Sequence, residues 1–133
     1  MGLTDEERKS VVQFRIEKAK ETFAEIENLV QFGYWRTAAN RLYYACYYAV
    51  TALLTRNGID TKTHRGVMNQ MGLHFVRTNI FSQKEGKLIR DLFELRQDGD
   101  YDDWIIIHEE DVIPLVEPVK NLIDKIEQLI NKS

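Results

Sequence analysis

The chain has a single cysteine, Cys46, and only two prolines and seven glycines in 133 residues. One thiol excludes an intramolecular disulfide, and Cys46 falls among apolar helical positions, so a buried, reduced thiol is expected rather than a nucleophile. The shortage of proline and glycine leaves room for long helices. No run nears the roughly 18 apolar residues of a membrane span. The first seven residues end in Asp5-Glu6-Glu7, where a secretory leader would carry an apolar core, and Glu6 stands where a myristoylation signal needs Ser or Thr. A cytoplasmic protein with no membrane attachment is expected. A basic excess is also missing: 18 Lys and Arg against 21 Asp and Glu give a formal net charge of −3. Coating of nucleic acid by bulk electrostatics is thereby excluded, and only local basic sites remain. There is no Gly-rich phosphate loop, no Cys/His metal spacing and no Gly-x-Ser-x-Gly elbow. His64, His74 and His108 are too scattered to make a metal pair on one helix. No metal or cofactor is expected.

What is present reads as one globular domain, 1–133, with 44% hydrophobic and 29% charged residues. Its centre is the run 38–54, which has no Gly or Pro and carries four tyrosines. At 100° per residue, Ala39, Leu42, Tyr43, Cys46, Ala49, Val50, Leu53 and Leu54 share a broad apolar arc, with Trp35 upstream on the same side. On the opposite arc Arg41, Tyr44 and Tyr48 line up, flanked by Thr37, Thr51, Thr55 and the small Ala45 and Ala52. Such a face suits close approach by another backbone or a polar ligand, and it equally suits tyrosines at a core edge with their hydroxyls in water. Periodicity leaves both readings open.

The remaining elements follow from caps and stripes. Thr4 with Glu7 forms a capping box opening a first helix to about residue 31, with Val11, Phe14, Lys18, Phe23, Ile26 and Val30 along one side. Gly33 allows a turn into the central helix, about 34–56, and Asn57-Gly58 stops it. Thr63 caps a third helix to about 77, with Val67, Met71 and Phe75 buried. Lys62, His64 and Arg65 gather at its start, as a phosphate-facing cluster served by the helix amides or as a solvated loop with His64 packed locally. Ser82 with Glu85 opens a fourth helix to about 96, with Leu88, Ile89, Leu92, Phe93 and Leu95 apolar. The polar stretch 97–103 then reads as a loop with Arg96 at its mouth. Residues 104–107 are β-branched but have no strand to pair with, which predicts an extended tether. A last helix spans about 110–131, with Pro114 in its first turn and Pro118 implying a kink or a late start. The sum is an all-α, four- to five-helix up-and-down antiparallel bundle.

Three segments carry a family resemblance: Ala38-x-x-Arg41-x-Tyr43-Tyr44-Ala45-x-Tyr47-x-Ala49, then Lys62-Thr63-His64-Arg65-Gly66-Val67, then Leu92-x-x-Leu95-Arg96-x-x-x-Asp100-Tyr101. In this order and spacing they resemble the HEPN domain family of small prokaryotic helical proteins, over roughly residues 10 to 130. The likeness is to the branch accompanying a minimal nucleotidyltransferase in toxin–antitoxin or nucleotide-handling pairs. The resemblance implies a homodimer with a polar cleft between central helices. Many members are metal-independent ribonucleases whose motif is Arg, four to six residues, then His. Arg96 matches that arginine, but Tyr101, Asp102 and Asp103 occupy the histidine window. Tyr101, with an ordinary pKa near 10, is a poor base at neutral pH, and His64 could substitute only if the fold brings it to Arg96.

The expectation is therefore a binding or regulatory HEPN module. Arg41, Tyr44, Tyr48, Lys62, His64, Arg65, Arg96, Asp100 and Tyr101 are its candidate lining for a nucleotide or RNA phosphate or a partner protein. Some HEPN toxins are modified with AMP on a tyrosine near the motif, and Tyr101 matches that position. The alternatives are a ribonuclease toxin using Arg96, Tyr101 or His64, and a structural dimeric bundle without ligand. For Arg96 the plain structural role is to neutralise the carbonyl end of the fourth helix and pair with Asp98 or Asp100.

Overall fold

The computed structural model describes residues 2–101 and 104–132, and for 98–101 the backbone alone. Helix α1, Asp5–Ala24, opens on the expected box. Thr4 Oγ1 accepts from the Glu7 amide at 3.1 Å, and the Glu7 carboxylate accepts from the Thr4 amide at 2.9 Å. The helix does not run on to residue 31. At Glu25, whose amide reaches back to the Thr22 carbonyl at 3.2 Å, the chain turns, and a short α2 follows, Ile26–Gln31. The buried row of α1 is Val12, Ile16, Ala19 and Thr22, an unbroken sequence of three- and four-residue steps. Phe14 belongs to another face and is 64% exposed, which corrects the stripe expected from sequence.

Gly33, with φ of 73°, makes the turn into α3, Trp35–Arg56. Every member of the apolar arc from Ala39 to Leu54 is buried, and each fully buried aliphatic or aromatic side chain contributes about 1.5–3 kcal/mol. Burial pushes the Cys46 thiol pKa up to about 12, consistent with an inert core thiol. The opposite arc is only partly open. Ala45 and Ala52 are wholly buried, and Thr51 and Thr55 are 7% and 5% exposed, because α1 lies along that side. Arg15 Nη1 donates to Thr55 Oγ1 at 2.8 Å, and Arg8 Nη1 donates to the Thr55 carbonyl at 2.7 Å. What the arc leaves half-buried is Arg41, Tyr44, Tyr47 and Tyr48.

Helix α4, His64–Met71, is capped by Thr63, whose Oγ1 accepts from the Gly66 amide at 2.9 Å. It passes into a wider π-helical turn, Gly72–Val76. Helix α5, Gln83–Tyr101, starts at the Ser82–Glu85 box, with bonds of 2.8 and 3.0 Å. It does not stop at residue 96. A glycine inside a helix costs only about 1 kcal/mol against alanine, and here the turn-forming residues around Gly99 are carried within the helix. Residues 104–107 form a tether that is neither helix nor strand: Ile107 is buried, Trp104 is 94% exposed, and Arg36 Nη2 donates to the Ile105 carbonyl at 2.7 Å.

Helix α6, Glu109–Asn131, contains both Pro114 and Pro118. It starts early, so Pro114 lies in the second turn and Pro118 deeper still. Both are exposed, where water can satisfy the carbonyls of Glu110 and Pro114 that lose their amide donors. The result is an all-α up-and-down bundle, with α3 at its centre against α1, α5 and α6. Among the described residues there is no strand and no helix long and apolar enough to cross a membrane.

Candidate functional site

Tyr43, Tyr44, Tyr47 and Tyr48 occupy two adjacent rows of α3, so their rings form one continuous surface. Tyr43 meets Tyr44 edge-on at 5.1 Å between centroids and lies 5.7 Å from Tyr47. The cap at Thr63 places His64 on the first turn of α4, over these rings. Its imidazole stacks on Tyr47 at 4.4 Å and 15°, lies near-parallel to Tyr43 at 5.7 Å, and meets Tyr44 edge-on at 5.9 Å. His64 Nδ1 is 2.6 Å from the Tyr43 hydroxyl.

Arg96 enters the same place from α5. Its Nη2 donates to the Tyr44 hydroxyl at 3.0 Å, and its guanidinium carbon lies 5.6 Å from the Tyr43 ring centroid and 5.5 Å from that of Tyr44. Cation–π contact of this kind strengthens as water is excluded. Arg96 is thus a side chain of the helix interior, well before the end of α5, which corrects its placement at a loop mouth. The expected partners Asp98 and Asp100 have side chains outside the described residues.

The electrostatics follow from burial and this one cation. Burial, and after it the charge of Arg96, holds the His64 pKa below the ordinary imidazole value. Burial raises Tyr43 far above the ordinary phenol, against the opposing pull of Arg96. Burial likewise raises Tyr47, against Arg15. At neutral pH the site is a guanidinium beside a neutral imidazole and the protonated phenols of Tyr43 and Tyr47.

Not every expected residue joins them. Arg41 lies 5.5 Å over the outer side of Tyr44, but it is tied to Asn40 Oδ1 at 2.7 and 3.1 Å and faces Glu25 at 3.8 Å. Tyr48 sits under the Lys18 ammonium at 5.0 Å. Lys62 and Arg65 are exposed and make no hydrogen bond or ion pair among the described residues, so of that cluster only His64 reaches the rings. Asp100 and Tyr101 are backbone-only positions whose side chains lie outside the described residues. Sequence reasoning missed Tyr43 and Tyr47 as site residues. The available signal was the spacing of Tyr43 and Tyr47, four residues apart on one row of the central helix.

These features define a class: a helical bundle whose central helix presents a tyrosine surface gripped by one arginine and one histidine from neighbouring helices. Comparison with known proteins supplies the family. A model of the HEPN domain matches residues 12–129, and the chain belongs to the HEPN domain family. A UPF0332 protein of Thermotoga maritima is 31% identical, covering 93% of this chain and 94% of its own. The Methanocaldococcus jannaschii protein named "Putative toxin MJ0142" is 34% identical over 72% of this chain and 65% of its own length. A second from that organism, "Putative toxin MJ0605", is 30% identical over 75% of each chain.

Proposed function

We propose that this HEPN chain is a phosphate-recognising module, binding a nucleotide or RNA phosphate at the Arg96–His64 site. It works as a homodimer with a minimal nucleotidyltransferase partner in a toxin–antitoxin-like pair. The observation that carries the reading is the convergence of His64 and Arg96, from two different helices, on Tyr43 and Tyr44. A guanidinium and an imidazole beside aromatic faces suit a phosphate attached to a base or ribose. Two relatives carry the word toxin in their names, which supports the setting. The half-buried Arg41, Tyr44 and Tyr48 are the proposed wall of the dimer cleft.

Native mass spectrometry of the purified chain tests this, with dimer mass and retained nucleotide as the expected result. Arg96→Ala should weaken nucleotide binding by about tenfold or more, the scale of a charge-assisted hydrogen bond, while the dimer mass persists. Unchanged binding in that variant would remove Arg96 from the site. A second reading, metal-independent RNA cleavage, gains support from the same convergence, since it brings a histidine, His64, to the tyrosines that Arg96 also meets, while the residues after Arg96 supply none in the motif window. Cleavage in the presence of a chelator, lost in both Arg96→Ala and His64→Ala, is its signature. RNA left intact by the wild type would rule it out.

A further inference from the structure

Tyr43 is the most buried residue at the site, 1% exposed. Among the described residues its hydroxyl makes one hydrogen bond, the 2.6 Å contact with His64 Nδ1. A phenol has one proton to place, and a ring nitrogen is either donor or acceptor. Arg96, the cation close to the Tyr43 ring, carries only donors and cannot receive that proton, and the neighbouring Tyr44 and Tyr47, with rings at 5.1 and 5.7 Å, form no hydrogen bond with the Tyr43 hydroxyl. If Nδ1 were protonated, the buried O–H would lose the one acceptor it has in this arrangement, at a cost of about 1–3 kcal/mol. The satisfied arrangement has Tyr43 donating to a bare Nδ1, which puts the imidazole proton on Nε2. Stacking on Tyr47 at 4.4 Å holds the ring in that plane.

Resting on the phosphate-recognition reading above, we infer that Tyr43 is a positioning residue. It locks His64 as the neutral Nε2–H tautomer, so that His64 and Arg96 together present two donor groups to an oxyanion with no proton uptake. The surroundings agree. Among the described residues the groups facing His64 are Tyr43, Tyr44 and Tyr47 from α3 and the Arg96 cation from α5. Beyond Tyr47 lies Arg15 of α1, and on its own segment Lys62 and Arg65 point to solvent as exposed cations. Among the described residues no carboxylate contacts the imidazole to favour its charged form. An ordinary histidine–anion site weakens as pH rises through about 6.5 because the histidine loses its charge. Here the donor is present without charge, and anion binding should hold across that range.

The test is long-range proton–nitrogen NMR of the full chain labelled at histidine nitrogen. Expected for His64 at about pH 7.5 is a protonated Nε2 and a bare Nδ1, a state reached without charge. A proton on Nδ1, or on both nitrogens, overturns the assignment, and this measurement needs no variant. Tyr43→Phe keeps the ring and removes only the hydroxyl. It should let the His64 tautomers mix and raise the midpoint of the His64 titration, and an unchanged spectrum would refute the role of Tyr43. Sulfate, whose charge is constant here, is the binding probe. From about pH 6.5 to about pH 8 the wild-type affinity should change less than about twofold, whereas a site relying on charged imidazole would lose more than about tenfold. The larger loss in the wild type overturns the inference. Sulfate that binds at no pH, with His64 still protonated at Nε2, would instead sink the phosphate-recognition reading and leave the tautomer assignment standing.

Discussion

The tyrosine face of α3 has two ends made of similar residues and doing different things. At the inner end Tyr43 and Tyr44 meet His64 and Arg96 through hydrogen bonds of 2.6 and 3.0 Å and close ring contacts. At the outer end Tyr48 meets Lys18, and Lys18 also lies 5.7 Å over Phe14, which is 64% exposed. Both ends pair cations with aromatic rings. Burial separates them. Where water is excluded, hydrogen-bond partners are compulsory and pKa values move. Where water remains, an ammonium over a ring is worth about 0.5–1 kcal/mol and fixes little. A row of tyrosines therefore becomes a site only where other helices close over it.

The sharpest way to break this comparison is to truncate a ring at each end. Tyr43→Ala removes a fully buried ring and should cost about 3–5 kcal/mol, the range for a core aromatic, seen as a fall in the urea midpoint. Tyr48→Ala removes a half-buried ring from the rim and should cost about 1 kcal/mol. Equal losses would mean that the outer end is as much core as the inner one, and the contrast drawn from burial would fail.

Much of the bundle was legible because its signals are local. Thr4, Thr63 and Ser82 cap the helices they were expected to cap, since a hydroxyl and an amide three residues apart decide the matter alone. The apolar arc of α3 was legible from period. Phe14 was misread because an aromatic was taken as core where the neighbouring row from Val12 to Thr22 does the packing. Residues 97–101 were misread because the turn preference of Asp and Gly is weak beside a helix already propagating. The site itself was half legible. Arg41, Tyr44 and Tyr48 shared a face, His64 was a candidate from the basic cluster at the start of its helix and Arg96 from the family resemblance, but their meeting depends on how α4 and α5 dock, which no local pattern encodes. Tyr43 was hidden by its own duality, as its ring belongs to the core arc and its hydroxyl to the site.

A smaller effect tests the inner end without removing packing. The His64 pKa is lowered in the folded chain by burial and then by Arg96 from the ordinary value of 6.5. Between the lowered value and 6.5 the unfolded chain binds more protons than the folded one, so stability rises with pH across that window. Read downward, stability begins to fall as pH drops through about 6.5, and the loss is complete below the folded value. His64→Gln keeps a neutral donor and removes the proton-binding site. The melting temperature of the wild type should therefore fall more than that of the variant between about pH 7 and about pH 5.5. Two carboxylates with lowered pKa act in a separate window, below 4.5. They are Glu7, held low by its Thr4 hydrogen bonds, and Glu85, where burial, which raises it, is outweighed by bonds from Lys125 and Ser82. Parallel melting curves for wild type and His64→Gln across the upper window would show that His64 is as solvated as the outer end of the face, and the distinction between the two ends would lose its electrostatic half.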